Sequence, residues 1–369
     1  MSSAKSILMS GYYGFDNSGD DAILKAIIKD IRNVDNKLNI VVLSKDPEKT
    51  NDMYNVKAVD RFKVFDVIKA IKTTSLLISG GGSLLQDVTS TRSLLYYLAV
   101  MGMAKFFGKP VMVYANGIGP INRKFNRWLS KITLDRVDLI TLRDKDSREY
   151  LSQMGINNDN IIVTADPVFT LEASNKEHIN NIFIKEGIPN DKQYVGISIR
   201  KWKTAKNLID IVSKTIDYII ENYKVDVILI PMHYPEDVEI SLEVLKKVKS
   251  DSCHVLRDKY SVEEIMGVIH RLDLIVAMRL HSLIYAAGQE VPMVGLVYDP
   301  KVVGLLKSLD MEYMCNVDDL DFQELIDLID KVWNNRKEFR NNLKLQDLEL
   351  KKKALSNVTM ALELLEAGE

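Results

Sequence analysis

The chain has 369 residues, more than one ordinary domain holds, so we expect two domains. Lysine and arginine (49) nearly balance aspartate and glutamate (51), which excludes a general nucleic-acid binder with its basic excess. The two cysteines, Cys253 and Cys315, have neither metal-ligand nor redox spacing, as is typical of a reduced, cytoplasmic protein. No signal peptide is readable, and residues 94–104, the longest apolar segment, are too few to span a bilayer and predict a buried helix.

Short apolar strands alternate with helices along the chain, a pattern that predicts parallel sheets with crossover helices. In the first half, strands are predicted at residues 7–10, 39–43, 76–79, 111–115, 139–142 and 161–164. After a polar stretch at 172–181 the pattern restarts, with strands predicted at 194–199, 225–230, 254–256, 274–277 and 293–297. A charged helical tail follows from residue 321 to about 365. We therefore expect an α/β protein with two Rossmann-like domains facing across a cleft, residues 1–172 and 173–369. The tail is assigned to the second domain, and its packing back onto the first is left open.

Three loops in the first half are rich in glycine, and each follows a predicted strand. The spacing of the first is neither the dinucleotide fingerprint nor a Walker loop. Successive backbone N–H groups in such loops can bind anions, but each loop could equally be a tight turn with ordinary capping. The candidate ligand-contacting residues of these loops are Tyr12, Tyr13, Gly14, Asn17, Gly81, Gly82, Asn116 and Gly117.

Cationic side chains follow other predicted strands: Arg143, Arg200, Arg279 with His281, and Lys301. Ligands of open α/β sheets bind at the carboxyl ends of the strands. Arginine grips planar anions, and histidine exchanges protons near neutral pH, so this pattern indicates chemistry on an anionic substrate. Each residue taken alone is also explained by packing, capping or solvation. The Asp-x-Asp pattern that begins at Asp144 is better explained as a helix start, and no metal is predicted.

The motifs together resemble those of the polysaccharide pyruvyl transferases, most closely the bacterial cell-wall members that modify the polymer anchoring S-layer proteins. The likeness covers residues 7–309, and the helical tail carries no matching motif. The motifs that carry the resemblance are Gly11-Tyr12-Tyr13-Gly14-Phe15-Asp16-Asn17-Ser18-Gly19-Asp20-Asp21, Gly80-Gly81-Gly82-Ser83-Leu84-Leu85-Gln86-Asp87, Asn116-Gly117-Ile118-Gly119-Pro120 and Met278-Arg279-Leu280-His281-Ser282.

The resemblance implies a fold like that of GT-B glycosyltransferases, phosphoenolpyruvate as the donor substrate and no cofactor. It implies a lipid-linked disaccharide or polysaccharide precursor as the acceptor, with ManNAc receiving a 4,6-linked pyruvate ketal. By the same likeness, Arg143 and His281 match the essential arginine and histidine, and Lys301 matches the donor-binding lysine. Arg200 and Arg279 are further donor-side candidates, although Arg279 could instead pair with an acidic neighbour. The resemblance also implies that the loops of the first domain contact the acceptor. It implies a cytoplasmic protein that makes peripheral contact with the inner face of the membrane.

Two other functions fit the same residues. A nucleotide-sugar glycosyltransferase of the GT-B type would also need two α/β units and cationic strand ends, although no acidic ribose-binding residue is evident. A non-catalytic sugar- or phosphate-sensing protein is the alternative outside the enzymes. The sequence does not determine the acceptor sugar, its lipid carrier, the stereochemistry of the ketal, the oligomeric state or the loop that holds each phosphate.

Overall fold

The computed structural model describes residues 5–88, 90–156 and 158–367. The chain forms two compact units. The first unit contains the described residues up to Thr170 together with those from Leu350 onward, and the second unit is Leu171–Glu349.

The first unit is built on a parallel sheet of seven strands in the order β3-β2-β1-β4-β5-β6-β7. The strands are β1 Ser6–Ser10, β2 Asn39–Ser44, β3 Lys57–Asp60, β4 Leu76–Gly80, β5 Val111–Asn116, β6 Leu139–Leu142 and β7 Ile161–Val163. Strands β1, β4 and β5 are buried along their whole length, because helices cover both faces of a parallel sheet. The strand order reverses between β1 and β4, which is where doubly wound sheets bind ligands.

The helices of the first unit begin at the carboxyl ends of the strands. They are α1 Ser18–Val34, α2 Pro47–Tyr54, α3 Val64–Thr73, α4 Thr91–Phe106, α5 Lys124–Leu134 and α6 Lys145–Gln153, with a 3₁₀ turn at Pro167–Thr170. Polar side chains fix several of these starts: Asn17, Asp46, Ser90 and Asp144 each accept a hydrogen bond from a backbone N–H of the first turn. The helices α3 to α6 share one apolar core on one face of the sheet.

The second unit repeats the plan with a parallel sheet of six strands in the order β10-β9-β8-β11-β12-β13. The strands are β8 Tyr194–Ser198, β9 Asp226–Leu229, β10 Cys253–Val255, β11 Leu274–Ala277, β12 Met293–Val297 and β13 Met314–Asn316. The helices are α7 Lys176–Glu186, α8 Leu208–Tyr223, α9 Glu236–Leu245, α10 Val262–His270, α11 Leu280–Gly288, α12 Pro300–Ser308 and α13 Phe322–Asn334. A final helix, α14 Arg336–Ala367, ends the described chain.

The predicted α/β fold with two Rossmann-like units and a helical tail is confirmed. Sequence patterns missed β3 and β13, which are short, carry polar residues and lie at the edges of their sheets. The structure divides the chain after Thr170 rather than after residue 172, and it groups the end of the tail with the first unit rather than with the second. A buried polar contact joins this part of the tail to the segment after β7: Asn357 of α14 accepts a hydrogen bond from Thr164 Oγ1 at 2.9 Å and donates one to the carbonyl of Ala165.

The helices of the described residues are either too short or too polar to cross a bilayer.

Candidate active site

Arg143 connects three loops at the carboxyl edge of the first sheet. Its guanidinium donates from Nη1 to Asp166 Oδ2 at 2.9 Å and from Nη2 to Ser83 Oγ at 3.0 Å. Asp144 Oδ2 lies 3.8 Å from its Nε, and the side chain is only 6% exposed. Because the guanidinium has five N–H donors and these two hydrogen bonds use two of them, Arg143 retains donors for an anionic ligand.

The glycine of the third predicted loop is needed for the position of Arg143. A Cβ placed on Gly117 would lie 2.7 Å from Arg143 Nε, so a larger residue would displace the guanidinium. The amide of Gly117 donates to the carbonyl of Gly82 at 3.0 Å, which joins the second glycine loop to the third. Gly81 and Gly82 have positive φ angles of 109° and 52°. Asn116 is fully buried and donates to the carbonyl of Ser79 at 2.9 Å, so it holds the framework beneath these loops.

Asp20, in the first turn of α1, adds an acidic group to this edge. A Cβ on Gly82 would lie 3.0 Å from Asp20 Oδ1, so the carboxyl stands directly against the second glycine loop. Burial, with help from the charges of Asp21 and Asp166, raises the pKa of Asp20 to about 7, while the charge of Arg143 opposes the shift. Sequence reasoning missed Asp20 and Asp166 as site residues. Two consecutive carboxylates at a helix start after a glycine loop were the available signal for Asp20.

The first loop is packed more tightly than its sequence indicated. Tyr13 is fully buried and donates from its hydroxyl to the carbonyl of Gly80 at 2.7 Å. The side chain of Asn17 accepts from the amide of Gly19 at 3.0 Å and caps α1. A Cβ on Gly14 would lie 2.4 Å from Ser44 Oγ. These residues shape the loop, whereas Tyr12, which is only partly buried, stacks on Phe15 with ring centroids 4.0 Å apart.

Arg61 follows β3 and lies among aromatic rings near the first loop. The side chain is 94% buried, since its exposed fraction is 6%, and its Nη1 donates to the carbonyl of Gly11 at 2.8 Å. Its guanidinium carbon lies 4.3 Å from the ring centroid of Tyr96 and 5.3 Å from that of Phe15. These distances are within the range of cation–π contacts. No sequence motif indicated this residue, because β3 itself was not recognised.

Arg279 in the second unit is engaged by a buried carboxylate. Its Nε donates to Asp237 Oδ2 at 2.9 Å and its Nη2 to Asp237 Oδ1 at 2.5 Å. Asp237 is 1% exposed and also accepts from the backbone amides of Met232 and His233. Of the two roles that the sequence allowed for Arg279, the structure shows the acidic pairing, which ties the loop after β9 to the start of α11.

His281 and Lys301 stand at the starts of two neighbouring helices. His281 lies in the first turn of α11, partly buried, with its ring centroid 6.3 Å from that of Tyr285. Lys301 lies in the first turn of α12, where the capping carboxyl of Asp299 is 4.0 Å from its Nζ. The preceding strands, β11 and β12, are hydrogen-bonded neighbours. Both side chains are thereby placed at the same edge of the second sheet.

Arg200 belongs to the same edge, because β8 pairs with β11 on the side away from β12. Its guanidinium carbon lies 5.3 Å from the ring centroid of Tyr298 and 5.8 Å from that of Trp202. Trp202 Nε1 donates in turn to Asp318 Oδ1 at 3.0 Å. Within the described part of the chain, the buried Nε of Arg200 has no hydrogen-bond partner. The aromatic side chains and Asp318 were not predicted as site residues.

The structure therefore gathers the predicted residues in two sets. Arg143 and the three glycine loops meet in the first unit, and Arg200, Arg279, His281 and Lys301 lie at the ends of three adjacent strands in the second. Their roles toward substrate stay predictions.

Comparisons with known proteins identify the family of the chain and its fold. The family model described as polysaccharide pyruvyl transferase matches residues 17–300. The amylovoran biosynthesis protein AmsJ of Erwinia amylovora is 24% identical, covering 87% of this chain and 89% of its own.

Solved structures with the same fold include the UDP-GlcNAc 2-epimerase of Methanocaldococcus jannaschii, with a TM-score of 0.71 and 14% identity over 97% of this chain and 99% of that one. Anabaena HepE, in complex with UDP and glucose, has a TM-score of 0.63 and 12% identity over 98% of this chain and 100% of that one. At these identities the two structures show a shared GT-B-like fold and nothing about substrates.

Proposed function

This chain belongs to the polysaccharide pyruvyl transferase family, and from that premise we propose that it transfers pyruvate from phosphoenolpyruvate to a sugar. The proposed acceptor is ManNAc in a lipid-linked precursor of a cell-wall polymer, as the resemblance of the motifs implies. The proposed products are a 4,6-linked pyruvate ketal and inorganic phosphate. The expected location, the cytoplasm at the inner face of the membrane, rests on the same resemblance and stays a prediction.

The row of basic side chains in the second unit is the observation that carries the choice of donor. Arg200, His281 and Lys301 follow three adjacent strands, and two of them lie in the first turns of helices. Phosphoenolpyruvate carries a carboxylate and a phosphate, which bind best to cations and to N–H donors at helix starts. We assign the donor to this edge, with Lys301 and Arg200 as its anion-binding residues.

The chemistry needs one proton delivered and two removed. Protonation of the methylene carbon makes the adjacent carbon an oxocarbenium-like electrophile, and a sugar hydroxyl adds there with loss of its proton. The bond from that carbon to the phosphate oxygen then breaks, the leaving phosphate takes up one proton, and the second hydroxyl closes the ketal with loss of its own proton. We assign His281 as the general acid or base, because histidine as a residue type can give or take a proton near neutral pH.

By the resemblance, Arg143 is assigned as the second catalytic residue, one that stabilises negative charge developing in the reaction. Its contacts with Asp166 and Ser83 hold the guanidinium in one orientation, so it needs no reorganisation when charge appears. Asp20, with its pKa raised to about 7, stands in the same network and is a second group able to exchange a proton. The adjoining glycine loops supply backbone N–H groups for a phosphate of the donor or the acceptor.

Arg279 is assigned as a positioning residue rather than a donor contact. The Nε and Nη2 atoms of its guanidinium both donate to Asp237, which is itself held by two backbone amides. The pair fixes the turn that leads into α11 and therefore the place of His281.

The decisive experiment incubates the purified protein with phosphoenolpyruvate and lipid-linked acceptors that end in ManNAc. We expect phosphate release together with a pyruvate mass on the acceptor, and neither product from an acceptor that lacks the 4- or 6-hydroxyl. Phosphate release with a different terminal sugar would show that the proposed acceptor is wrong and would support phosphoenolpyruvate as the donor. Turnover of a nucleotide-sugar, with no response to phosphoenolpyruvate, would overturn the proposal in favour of a glycosyltransferase.

A further inference from the structure

The starts of α3, α4 and α5 in the first unit form one rim. The three helices pack side by side and bury side chains such as Val67, Leu94 and Leu134 in one core against the same face of the sheet. Each follows a strand of a parallel sheet, so the three N-termini lie together at its carboxyl edge. Since packed helices lie about 8–10 Å apart, the rim is about 20 Å wide.

Large apolar side chains project from this rim into solvent. Two groups of them are each local in sequence: Phe62 to Phe65, before and within α3, and Phe125 with Trp128 on α5. The rings of Phe125 and Trp128 are 5.8 Å apart. The exposed fractions are 65% for Phe62, 60% for Val64, 88% for Phe65, 62% for Val88, 61% for Phe125 and 57% for Trp128. Such a concentration on one edge is uncommon on a surface that meets only water.

Basic residues are interleaved with these apolar ones. Lys63, Arg92, Arg123 and Lys124 are all exposed, and the sequence between residues 122 and 134 contains no aspartate or glutamate. The carboxylate of Asp87, by contrast, accepts hydrogen bonds from the amides of Asn122 and Arg123, which ties the loop carrying Val88 to the start of α5. The acidic residues before and within the start of α3 are Asp60, whose carboxylate accepts from the amide of Phe62 at 2.9 Å, and the exposed Asp66, so the four basic residues exceed the three acidic ones. The rim therefore combines aromatic side chains with net positive charge.

We propose that this rim docks the first unit onto the surface of an anionic phospholipid bilayer. Aromatic and aliphatic side chains enter the headgroup region while lysine and arginine meet lipid phosphates, which is the composition of surface-bound membrane elements. A second copy of the chain fits less well, because a two-fold contact would place the basic rim against itself. The inference does not depend on the proposed donor, although docking here would bring the edge that carries Arg61 and Arg143 toward lipid-linked substrates.

Vesicle flotation with the full chain tests the proposal without any substrate. We expect binding to vesicles of phosphatidylcholine mixed with phosphatidylglycerol, weaker binding at high salt, and little binding to phosphatidylcholine alone. The variants Phe125→Ser with Trp128→Ser, and Arg123→Glu with Lys124→Glu, are each expected to weaken binding about tenfold or more. Because these side chains are exposed, the variants should unfold at the wild-type temperature.

The same helical layer offers matched controls at its opposite end. Phe106, at the end of α4, is 84% exposed, and Arg136 is exposed just after α5. Phe106→Ser and Arg136→Glu should leave vesicle binding unchanged. The proposal is overturned if the wild-type protein does not float with anionic vesicles, or if the controls lose as much binding as the rim variants. It is also overturned if the rim variants change only the mass in solution, since the partner would then be another copy. Phosphate release is measured separately, so failure of one proposal does not imply failure of the other.

Discussion

One network of side chains joins three loops at the edge of the first sheet, whereas the candidate residues of the second sheet stand on separate helix starts, with Arg279 paired to a buried carboxylate. Arg143, Asp166 and Ser83 form a connected network against two glycine loops. His281 and Lys301 are instead placed by their helices, α11 and α12, and Arg200 is held by aromatic rings. The first edge is thus organised by one hydrogen-bonded network, and the second by the placement of its strands and helices. This difference predicts which substitutions reduce turnover and which reduce stability.

The largest expected effect is that of His281→Ala. Loss of a positioned acid or base typically costs a factor of 10² to 10⁴, so we expect turnover to fall about 10³-fold with little change in the unfolding temperature. Phosphate release under saturating phosphoenolpyruvate measures this. His270→Ala, at the exposed end of α10 in the same unit, is the control and should retain full activity. If the His281→Ala enzyme is folded and its turnover is close to that of wild type, His281 is not the general acid or base of the reaction.

Asp237→Ala should be the most destabilising change at the second edge. Removal of one partner of a buried ion pair leaves the other charge uncompensated, which costs about 3–5 kcal/mol. Because Arg279 is partly exposed, we expect the loss in unfolding free energy to be at the lower end of this range, about 3 kcal/mol. Urea denaturation measures this loss. Asp251→Ala, at an exposed position of the same unit, is the control. A loss below about 0.5 kcal/mol would mean that the pair does not hold this edge together.

Gly117→Ala tests the first edge, where we expect a loss of activity greater than the loss of stability. The new methyl group would meet Arg143 Nε at 2.7 Å and displace the guanidinium. We expect a cost of about 1–3 kcal/mol in unfolding free energy and about 10²-fold in turnover. Gly102→Ala is the matched control, because a Cβ on this α4 glycine meets nothing within 4 Å. If both variants turned over at the wild-type rate, the position of Arg143 would not matter to the reaction.

The smallest expected effect is the pH dependence that Asp20 gives to stability. Its folded pKa, about 7, is above the ordinary value of 3.8, so the folded state holds the proton more tightly than the unfolded state. The stabilisation is therefore complete below about pH 4 and is lost as the pH rises to 7. The side chain of Asp20→Asn cannot ionise, so this variant should be more stable than wild type at pH 8 by about 1–2 kcal/mol. This difference in unfolding free energy is smaller than the whole pKa shift would give, because the carboxyl is partly exposed to solvent.

Thermal unfolding of the two proteins across this pH range measures the difference. Near pH 4 they should unfold at similar temperatures, and Asp52→Asn, at an exposed position, should follow wild type throughout. A constant offset between Asp20→Asn and wild type at every pH would show that the pKa of Asp20 is not raised in the folded state.

Sequence patterns predicted which residues lie at the carboxyl edges of the two sheets, but they did not predict the contacts that these residues make. The apolar runs and the residues after them placed Arg143, Arg200, His281 and Lys301 at carboxyl ends of strands, because strand periodicity and helix starts are local properties. Tyr13 and Asn17 belong to a matched motif, yet their side chains are used in packing and capping. A motif therefore identified the loop without showing which of its side chains face a ligand.

The sequence by itself determined the alternation of strands and helices, the class of fold and, through its motifs, the family. Those properties depend on short-range periodicity and on residues that lie close together along the chain. Only the tertiary structure decided that Asp166 and Ser83 orient Arg143, that Asp237 engages Arg279, and that the tail packs with the first unit through Asn357. These contacts join residues 23 to 193 positions apart, and a buried polar group finds its partner through the packing of whole elements rather than through local sequence.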